Sequence, residues 1–320
     1  MYHTSRFHGA RSQYSYYPVF DWPTASPMKR NTNPARSPAA TTRLRPITGR
    51  HNARLKELRL AFRRAELTPN GECAIEGVKL LEEAIRHSQH LATIFFAESA
   101  RPLAEKLLPQ IAARTETLIL PSPLFNSIVP TDSPQGVAAL VKLRQHSPAQ
   151  LLDRAGDGPL LVAAGLQDPG NLGTIFRSAE AFATVGLFLT AGTVSPYNWK
   201  VLRGSAGSAF RLPFVQISSA ALIPLLRSRG VRLLATSSHV PTASSHKATA
   251  LSEVKWTLPL AIFIGNEGSG LPRDLMDQMD ETLVIPQAAQ VESLNAGVAA
   301  SIILYEAART LHKPEGRSQK

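Results

Sequence analysis

Short apolar runs alternate with segments of helical periodicity over most of the chain, and this pattern predicts an α/β protein. In the second half, strands are predicted at Leu160 to Ala164, Val185 to Thr190, Phe214 to Ile217, Val231 to Thr236, Pro259 to Ile264 and Thr282 to Ile285. Helices are predicted at Asn171 to Phe182, Ala220 to Arg229 and Asn295 to His312. This alternation favours a mostly parallel six-stranded sheet, with Ser237 to Glu253 as a loop over its edge.

The first half repeats the alternation on a smaller scale. It opens with Leu55, Leu58, Ala61 and Phe62, which recur at helical spacing. Further helices are predicted at Gly77 to His87, Leu103 to Ala113 and Pro123 to Val129, and strands at Glu72 to Glu76, Leu91 to Ala97, Thr117 to Leu120 and Gly136 to Leu143. Strands interleaved with helices of this length predict a small α/β/α layer domain.

Changes in composition divide the chain. Residues 1–48 are rich in Ser, Pro, Thr, Arg and Tyr without a sustained period, which predicts a disordered basic leader. A transit peptide that targets an organelle and a mis-set start before Met28 explain the same stretch equally well. Residues 49–144 are interpreted as the first domain, 145–158 as a linker, 159–313 as the second domain and 314–320 as a tail.

Charge narrows the classes of partner. The formal net charge is +11, and residues 1–50 hold eight Lys or Arg side chains against one acid, a net charge of +7. A basic excess favours nucleic-acid binding, although a solubilising tail produces the same composition. The single cysteine, Cys73, excludes an internal disulfide and a CxxC zinc site. A lone cysteine also fits a reducing compartment such as the cytoplasm, and no metal is implied. No apolar run is long enough for a membrane helix, so we expect a soluble protein.

Polar, Gly-rich loops follow two of the apolar strands in the second domain. One loop runs from Gly265 to Pro272, and the other passes from Ile285 to Asn295. A third polar loop, Gln167 to Gly170, leads into the helix that contains Asn171 and Arg177. Ligands of open α/β sheets bind beyond the carboxyl ends of the strands, so we expect these loops to form one site.

Each candidate residue also has an ordinary structural explanation. Asn171 and Ser293 suit the N-cap position of a helix, and Glu267 suits a solvated loop. Arg177 is spaced for a surface ion pair with Glu180 at i,i+3, which contributes only a few tenths of a kcal/mol. Taken singly, none of these residues indicates chemistry, so the combination of loops has to carry the argument.

Three ordered motifs supply that combination. An Asn and an Arg six residues apart occur as Asn171 and Arg177 in DPGNLGTIFR, and GNEGSG follows an apolar strand at residues 265–270. Ile285-Pro286, a short loop and then Ser293-Leu294-Asn295 complete the series. With these motifs the chain resembles the SpoU, or TrmH-type, RNA ribose 2′-O-methyltransferases of the SPOUT superfamily. The resemblance covers residues 160–310.

Upstream segments extend the resemblance. His51-Asn52, Lys56 to Arg59, Ile75 to Gly77 and Pro134 to Val137 look like the small RNA substrate-binding domain attached to many of these enzymes. The second half also departs from the family pattern. Gln287 and the Ala288-Ala289 pair replace the more usual Met and Gly after Ile-Pro, and Ala296-Gly297 replaces a Val-Ser type pair.

The resemblance implies an activity, a fold and an assembly. It implies S-adenosylmethionine as cofactor, held near Gly265, Ile285 and Leu294. It implies catalytic-site positions at Asn171, Arg177, Glu267, Ser293 and Asn295. It further implies a SPOUT α/β-knot with a deep trefoil knot, a homodimer and an RNA substrate, with ribosomal RNA favoured over transfer RNA.

Other interpretations remain open at this point. A dehydrogenase-like dinucleotide site is disfavoured, because Gly265, Gly268 and Gly270 give GxxGxG rather than GxGxxG. A catalytically inactive RNA-binding protein needs no cofactor and ranks second. Within the enzyme interpretation, Arg177 either acts as the base or remains a cation that binds phosphate and stabilises a developing alkoxide.

Overall fold

The structure is a computed structural model that describes residues 43–49, 51–237, 248–288, 290 and 293–311. All of these residues fall in one compact unit, Ala39–Lys320. The tail predicted at 314–320 and most of the predicted leader lie outside the described residues. The unit contains two sheets, one in each of the two predicted domains.

The first domain is the predicted α/β layer structure. Its strands are β1 Leu44–Pro46, β2 Cys73–Glu76, β3 His90–Ala97, β4 Glu116–Leu120 and β5 Val137–Lys142. Its helices are α1 Ala53–Arg64, α2 Val78–Arg86, α3 Arg101–Leu107 and α4 Ser122–Asn126. The strand order is β1-β4-β3-β5-β2, with β5 antiparallel to both of its neighbours.

The amphipathic pattern of α1 explains how it packs. The Asn52 side chain accepts hydrogen bonds from the amides of Arg54 and Leu55 and so caps the helix. The four predicted apolar residues, Leu55, Leu58, Ala61 and Phe62, are all buried against the sheet. The predicted core face of this helix is therefore confirmed.

The prediction that residues 1–48 form a disordered leader is wrong at its C-terminal end. Residues 44–46 form β1, an edge strand that pairs with β4 in parallel, with Leu44 opposite Thr117. Pro46 is tolerated there because an edge strand has one side free of ladder hydrogen bonds. The Arg43 side chain also donates to the carbonyl oxygens of Leu108, Ile111 and Ala112.

The predicted linker at 145–158 contains a helix, α5 Pro148–Leu152. A capping box between Ser147 and Gln150 starts it. Leu151 is buried against Gly186, where a Cβ atom would lie 2.7 Å from the leucine Cδ2. This segment is therefore packed against the second domain rather than being only a tether, which corrects the sequence interpretation.

The second domain is built on a parallel sheet. Its strands are β6 Leu160–Ala163, β7 Gly186–Leu189, β8 Phe214–Gln216, β9 Arg232–Ser237, β10 Ala248–Ala250, β11 Leu260–Ile264 and β12 Glu281–Val284. Its helices are α6 Pro169–Ala181, α7 Trp199–Gly204, α8 Ser219–Ser228, α9 Arg273–Met276 and α10 Ala296–Leu311. The strand order is β10-β12-β9-β11-β6-β7-β8, and every pairing is parallel.

The predicted count of six strands is wrong, because the described part of this sheet has seven. The additional strand is β10. It lies within the stretch predicted as a loop at Ser237 to Glu253, and it pairs with β12. Three residues of sequence Ala-Thr-Ala are too short and too weakly apolar to stand out as a strand. Residues 238–247 of that stretch lie outside the described residues.

Close helix contacts fix the frame of the second domain. At Gly173 on α6 a Cβ atom would lie 2.9 Å from the Cα of Gly204, so α6 and α7 pack backbone against backbone. On its other side α6 packs on α10, where Ser178 and Ser301 share a hydrogen bond of 2.6 Å. The helix that contains Arg177 is thus held between two neighbours.

Candidate active site

The three polar loops meet at the carboxyl ends of neighbouring strands. β11 lies between β6 and β9, and β12 lies on the other side of β9, so the loops that follow β6, β11 and β12 share one edge of the sheet. A cavity of about 330 Å³ opens there. Among the predicted residues it is lined by Gly265, Glu267, Ile285, Ser293 and Leu294. The three loops therefore meet at one edge of the sheet, as expected, and the assignment of the active site to them stays a prediction.

The loop after β11 is held by its own backbone. Asn266 and Gly270 exchange two backbone hydrogen bonds of 3.0 Å each. The Asn266 side-chain oxygen accepts from the amides of Gly268 and Ser269, and its amide nitrogen donates to the Gly165 carbonyl after β6. At Gly265 a Cβ atom would lie 2.7 Å from the Gly270 oxygen and 2.5 Å from the Leu271 nitrogen. Only glycine fits at that point.

A chain of hydrogen bonds joins all three loops. The Asn171 side-chain amide donates to Glu267 Oε1 at 2.8 Å, and the Asn295 side-chain amide donates to Asn171 Oδ1 at 2.7 Å. The Glu267 carboxylate also accepts from the backbone amides of Gln167 and Asp168, both at 3.3 Å. Glu267 therefore holds the loop after β6 against the loop after β11, and Asn171 connects both to the start of α10.

These hydrogen bonds also set the charge state of Glu267. Burial alone would raise the pKa of this carboxyl, but the hydrogen bonds from Asn171 and from the loop backbone outweigh it and lower the pKa below its ordinary value. The carboxylate is therefore the stable form near neutral pH, and it can act only as an acceptor for the amides around it.

The helix caps differ from the sequence interpretation. The Asp168 side chain caps α6 by accepting from the backbone amide of Asn171 at 2.7 Å, so Asn171 is not the N-cap. At α10 the Asn295 side chain accepts from the backbone amides of Gly297 and Val298, so the capping role that the sequence also allows for Ser293 belongs to Asn295. Asn171 is buried, with 6% of its surface exposed. Its side-chain nitrogen donates to Glu267 and its side-chain oxygen accepts from Asn295, so both groups take part in the hydrogen bonds that join the loops.

Arg177 is not paired with Glu180, so the structural alternative of an i,i+3 ion pair does not hold. Glu180 accepts instead from Arg211, whose Nη2 lies 2.8 Å from Oε2 of the carboxylate. Arg177 is exposed, and among the described residues it has no hydrogen-bond or ion-pair partner. It lies one turn beyond Gly173 on the same helix as Asn171, and it does not line the cavity itself.

The cavity wall offers both apolar and polar surfaces. Ile264, Leu283, Ile285, Met276 and Ile303 supply apolar contacts, and the loop after β11 supplies backbone amides. Gln287, which also lines the cavity, has a buried side-chain oxygen without a hydrogen-bond partner among the described residues. A buried acceptor without a donor costs about 1 to 3 kcal/mol, so this oxygen favours a ligand that donates to it.

That lining fits a nucleoside cofactor such as S-adenosylmethionine, which combines a flat apolar base with amino and hydroxyl donors. Across the described ranges, no group of three or more His, Cys, Asp or Glu side chains is placed to hold a metal ion. The same described residues contain no helix long and apolar enough to cross a membrane.

Two residues with clear positioning roles were not assigned from the sequence. Asn266 was quoted within its motif without a function, yet it ties the loop after β11 to Gly165. Asp168 was passed over as the cap of α6. The sequence Asp168-Pro169 could have revealed that cap, because an acidic N-cap followed by Pro at the first helical position is a common start of a helix.

Comparison with family models divides the chain in the same place as its structure. Residues 159–305 match the model of the SpoU rRNA Methylase family. Residues 52–139 match the model of the MRM3-like substrate binding domain. The first match spans the parallel sheet with all three loops, and the second spans most of the smaller sheet.

Similar proteins cover nearly the same length. An uncharacterized tRNA/rRNA methyltransferase of Synechocystis is 35% identical over 84% of this chain and 95% of its own length. A protein of Streptomyces viridochromogenes named 23S rRNA (uridine(2479)-2′-O)-methyltransferase is 32% identical over 86% of this chain and 94% of its own. The AdoMet-bound rRNA methyltransferase of Sinorhizobium meliloti superposes with a TM-score of 0.73 at 26% identity, covering 85% and 100% of the two chains. The chain belongs to the SpoU family of RNA methyltransferases, and its second domain has the SPOUT fold.

Proposed function

We propose that this protein transfers a methyl group from S-adenosylmethionine to a ribose 2′-hydroxyl of ribosomal RNA. The proposal rests mainly on the hydrogen bonds that link Glu267, Asn171 and Asn295. These bonds join three loops beside a cavity of about 330 Å³. On the same helix as Asn171, Arg177 presents a cation that no described residue neutralises. A cofactor cavity and a free cation on the helix that begins at the same loops suit methyl transfer onto an oxygen.

The cofactor would be held by the loops around Gly265, Ile285 and Leu294, all of which line the cavity. When bound, it supplies an electrophilic methyl carbon on sulfonium, so the protein needs to align two substrates rather than provide a metal. Gly265 allows the backbone of residues 270–271 to approach, which shapes the rim of the cavity. Gln287 offers an acceptor for an amino group of the cofactor.

Arg177 has a role that follows from its charge and its freedom. A guanidinium stays protonated in proteins and offers five N–H donors in a planar fork, which matches phosphate oxygens and a developing alkoxide. We assign Arg177 to that electrostatic role, with the hydroxyl proton leaving to water or another group. The base role stays the alternative, and a lysine at this position separates the two.

The remaining predicted residues divide into two sets. Glu267 and Asn295 order the loops, since their side chains are occupied by amides of the protein itself. Asn171 lies between them and Ser293 lies on the wall of the cavity, so both are placed near the ribose and its phosphate in this proposal. Loss of Glu267 or Asn295 should disorder the loops, and loss of Ser293 should misalign the substrate. Loss of Asn171 should do both, because its side chain also joins the loops.

A second copy of the chain fits an exposed stripe on α10. Val298, Ile302 and Tyr305 are 46%, 37% and 54% exposed and recur on one face of the helix at i, i+4 and i+7. This stripe adjoins α6, as shown by the contact of the Tyr305 ring with Phe182 at 5.8 Å between centroids. We therefore propose a homodimer through this stripe, and Ile302→Glu should convert it to a monomer in light scattering.

The other expectations that the resemblance implies are retained as proposals. They are the deep trefoil knot in the second domain and a cytoplasmic location. Ribosomal RNA is preferred over transfer RNA because the Streptomyces relative is named for 23S rRNA and the chain matches a substrate-binding domain in its first half. An inactive RNA-binding protein would keep RNA affinity without needing a cofactor.

The test is to map ribose methylation in RNA from cells that have and lack this protein. The proposal predicts one 2′-O-methylated position in ribosomal RNA that disappears with the protein and returns when the wild-type chain is supplied. A lost position in transfer RNA would establish the alternative substrate. An unchanged methylation map, together with a purified protein that binds RNA but no S-adenosylmethionine, would establish the inactive interpretation.

A further inference from the structure

A crevice of about 230 Å³ lies between the two domains, and none of the site residues assigned above lines it. The first domain contributes Gly77, Lys79, Ser133 and Gln135 to its wall, and α7 of the second domain contributes Arg203. We propose that this crevice binds a backbone phosphate of the RNA whose ribose is methylated. The inference rests on the proposed function and adds a second contact between protein and substrate.

The crevice is lined by groups that donate hydrogen bonds. Lys79 and Arg203 are exposed cations, and neither has a partner within the described ranges. Gln135 uses its side-chain oxygen to accept from the Val78 amide, so its amide nitrogen remains for a ligand. The acidic residue in the wall, Glu76, is buried and accepts from the backbone amide of Gln135. The two cations and the Gln135 side-chain amide are hydrogen-bond donors, and they suit a phosphodiester, whose oxygens are all acceptors.

The nearby arginines show that free cations are a property of this crevice and not of the whole junction. Arg211 binds both Glu83 and Glu180, and Arg86 binds Glu83. Glu83 and Glu180 are therefore occupied by other arginines and are not available to Lys79 and Arg203. Lys79 and Arg203 keep their full charge available for an anion, and release of RNA counterions would drive its binding.

The junction is also rigid enough to hold a phosphate at a fixed place. Arg211 Nη1 lies 2.5 Å from Glu83 on α2, which ties the first domain to α6 through Glu180. The Gln89 side chain donates to the Phe210 carbonyl at 3.0 Å. At Gly207 a Cβ atom would lie 2.9 Å from Glu83 Cγ, so the domains approach too closely there for any side chain.

The same frame links the crevice to Arg177. Arg203 immediately precedes Gly204, the residue of α7 that contacts Gly173 of α6. Arg177 lies one helical turn beyond Gly173. A phosphate bound at Arg203 is therefore held at a set distance from the cation that faces the reacting ribose, so the crevice would select RNA with a backbone that reaches both points.

The experiment compares the double variant Lys79→Gln, Arg203→Gln with wild type in filter binding of in-vitro-transcribed ribosomal RNA from 50 to 200 mM KCl. Loss of one phosphate contact should reduce the magnitude of the salt slope by about 0.7 to 0.9. Over a fourfold change in salt this makes the loss of affinity about 3-fold larger at 50 mM than at 200 mM. The KM for RNA should rise with little change in kcat, and affinity for S-adenosylhomocysteine should be unchanged.

The matched control is Lys106→Gln, Arg114→Gln, which removes two exposed and unpartnered cations that do not line the crevice. The inference is overturned if this control lowers the slope as much as the crevice variant, or if the crevice variant keeps the wild-type slope and KM. Wild-type protein that neither binds nor methylates the RNA would instead remove the proposed function. The two failures are therefore distinguishable.

Discussion

Two regions of this protein handle arginine in opposite ways. At the junction of the domains, Arg211 contacts two carboxylates, Glu83 and Glu180, and is about one quarter exposed, with 27% of its side chain accessible. At the three-loop site, Arg177 is exposed and no described residue neutralises it. Glu180 lies within one turn of Arg177 yet accepts from Arg211. Glu180 therefore pairs with Arg211, and Arg177 is left without a carboxylate partner among the described residues.

This difference separates structural from functional charge on physical grounds. Hydrogen bonds that Arg211 donates to Glu180 and Glu83 outweigh desolvation and raise the pKa of Arg211 above its ordinary value, so the folded protein stabilises its charge. A free arginine adds nothing comparable to stability, because an unpaired exposed cation is solvated equally in the unfolded chain. Arg177 should therefore matter for the reaction, and Arg211 for the stability and orientation of the domains.

The largest expected effect is that of Arg177→Ala. It should lower the single-turnover rate of methyl transfer by at least about 100-fold, the scale on which single donors stabilise a developing oxyanion. Cofactor affinity and melting temperature should hardly change, because Arg177 has no partner to lose among the residues that the structure describes. Rapid-quench kinetics, calorimetry and thermal melting measure the three quantities. A near-normal rate would remove Arg177 from the chemistry.

Arg177→Lys sharpens the result, because lysine keeps the positive charge, loses the planar fork and releases its proton more easily. An electrostatic clamp predicts a variant that stays slow at every pH and binds RNA more weakly. A catalytic base predicts activity that rises steeply with pH. The pH profile of the single-turnover rate distinguishes the two roles.

The next effect concerns the loop that borders the cavity. Gly265→Ala should weaken binding of S-adenosylhomocysteine at least about fivefold, since overpacking against the backbone of residues 270–271 costs about 1 to 3 kcal/mol. The damage arises within the loop, and not from simple blocking of the cavity. Gly268→Ala is the matched control in the same loop, where a Cβ atom would meet only Asn266 Oδ1 at 3.6 Å. Equal affinities of the two variants in calorimetry would contradict this account.

Arg211→Met tests the structural side of the comparison. Loss of charged hydrogen bonds to Glu83 and Glu180 should lower the free energy of unfolding by about 2 kcal/mol. Denaturant titration measures it, with Arg227→Met as the control, because Arg227 pairs with Asp280 within the second domain and is more exposed. Hydrogen exchange should increase at the junction in the first variant only. An unchanged stability would mean that the contact is incidental.

Gln287→Met removes the free oxygen in the cavity at nearly constant volume. A cofactor amino group that donates to this oxygen contributes about 1 kcal/mol, so affinity for S-adenosylhomocysteine should fall roughly fivefold. S-inosylhomocysteine, in which an oxo group replaces the adenine amino group, should bind wild type and variant alike. If the variant loses affinity for both ligands equally, or for neither, the oxygen does not recognise the adenine amino group.

The smallest effect is a pH dependence from Glu267. Its folded pKa lies below the ordinary value of 4.5, so its contribution to stability is complete above about pH 4.5 and is lost as the pH falls through the folded pKa. The exposed position keeps this contribution small. Glu267→Gln should flatten that part of the stability curve in denaturant titrations from pH 6 to pH 3. An identical curve for the variant would show that another carboxyl is responsible.

Much of the fold could be predicted from the sequence because its periodic segments are long and buried. The six strands predicted in the second domain are confirmed within a residue or two at each end, and the apolar face of α1 is confirmed residue by residue. Edge strands were missed for the opposite reason. β1 and β10 have three residues each, and their pairing with β4 and β12 adds stability that no local pattern reveals.

The candidate site shows the same limit at the level of side chains. The sequence placed the three loops together, since parallel strands end at one edge of a sheet. It could not choose partners among polar groups that are far apart in the chain. Glu180 is satisfied by a residue 31 positions away, and Asn171 by residues 96 and 124 positions away. Local spacing allowed an i,i+3 pair for Arg177 and an N-cap for Asn171. The long-range contact of Arg211 with Glu180 replaces the first, and the nearby Asp168 supplies the cap.

The central claim is that the three-loop site transfers a methyl group to ribose. The direct measurement is to incubate the purified protein with methyl-labelled S-adenosylmethionine and ribosomal RNA from cells that lack it, and then to digest the RNA to nucleosides. The account predicts label in a single 2′-O-methylated nucleoside with wild type, and none with Arg177→Ala at equal cofactor occupancy. Label in a base methyl group, or full labelling by Arg177→Ala, would contradict it.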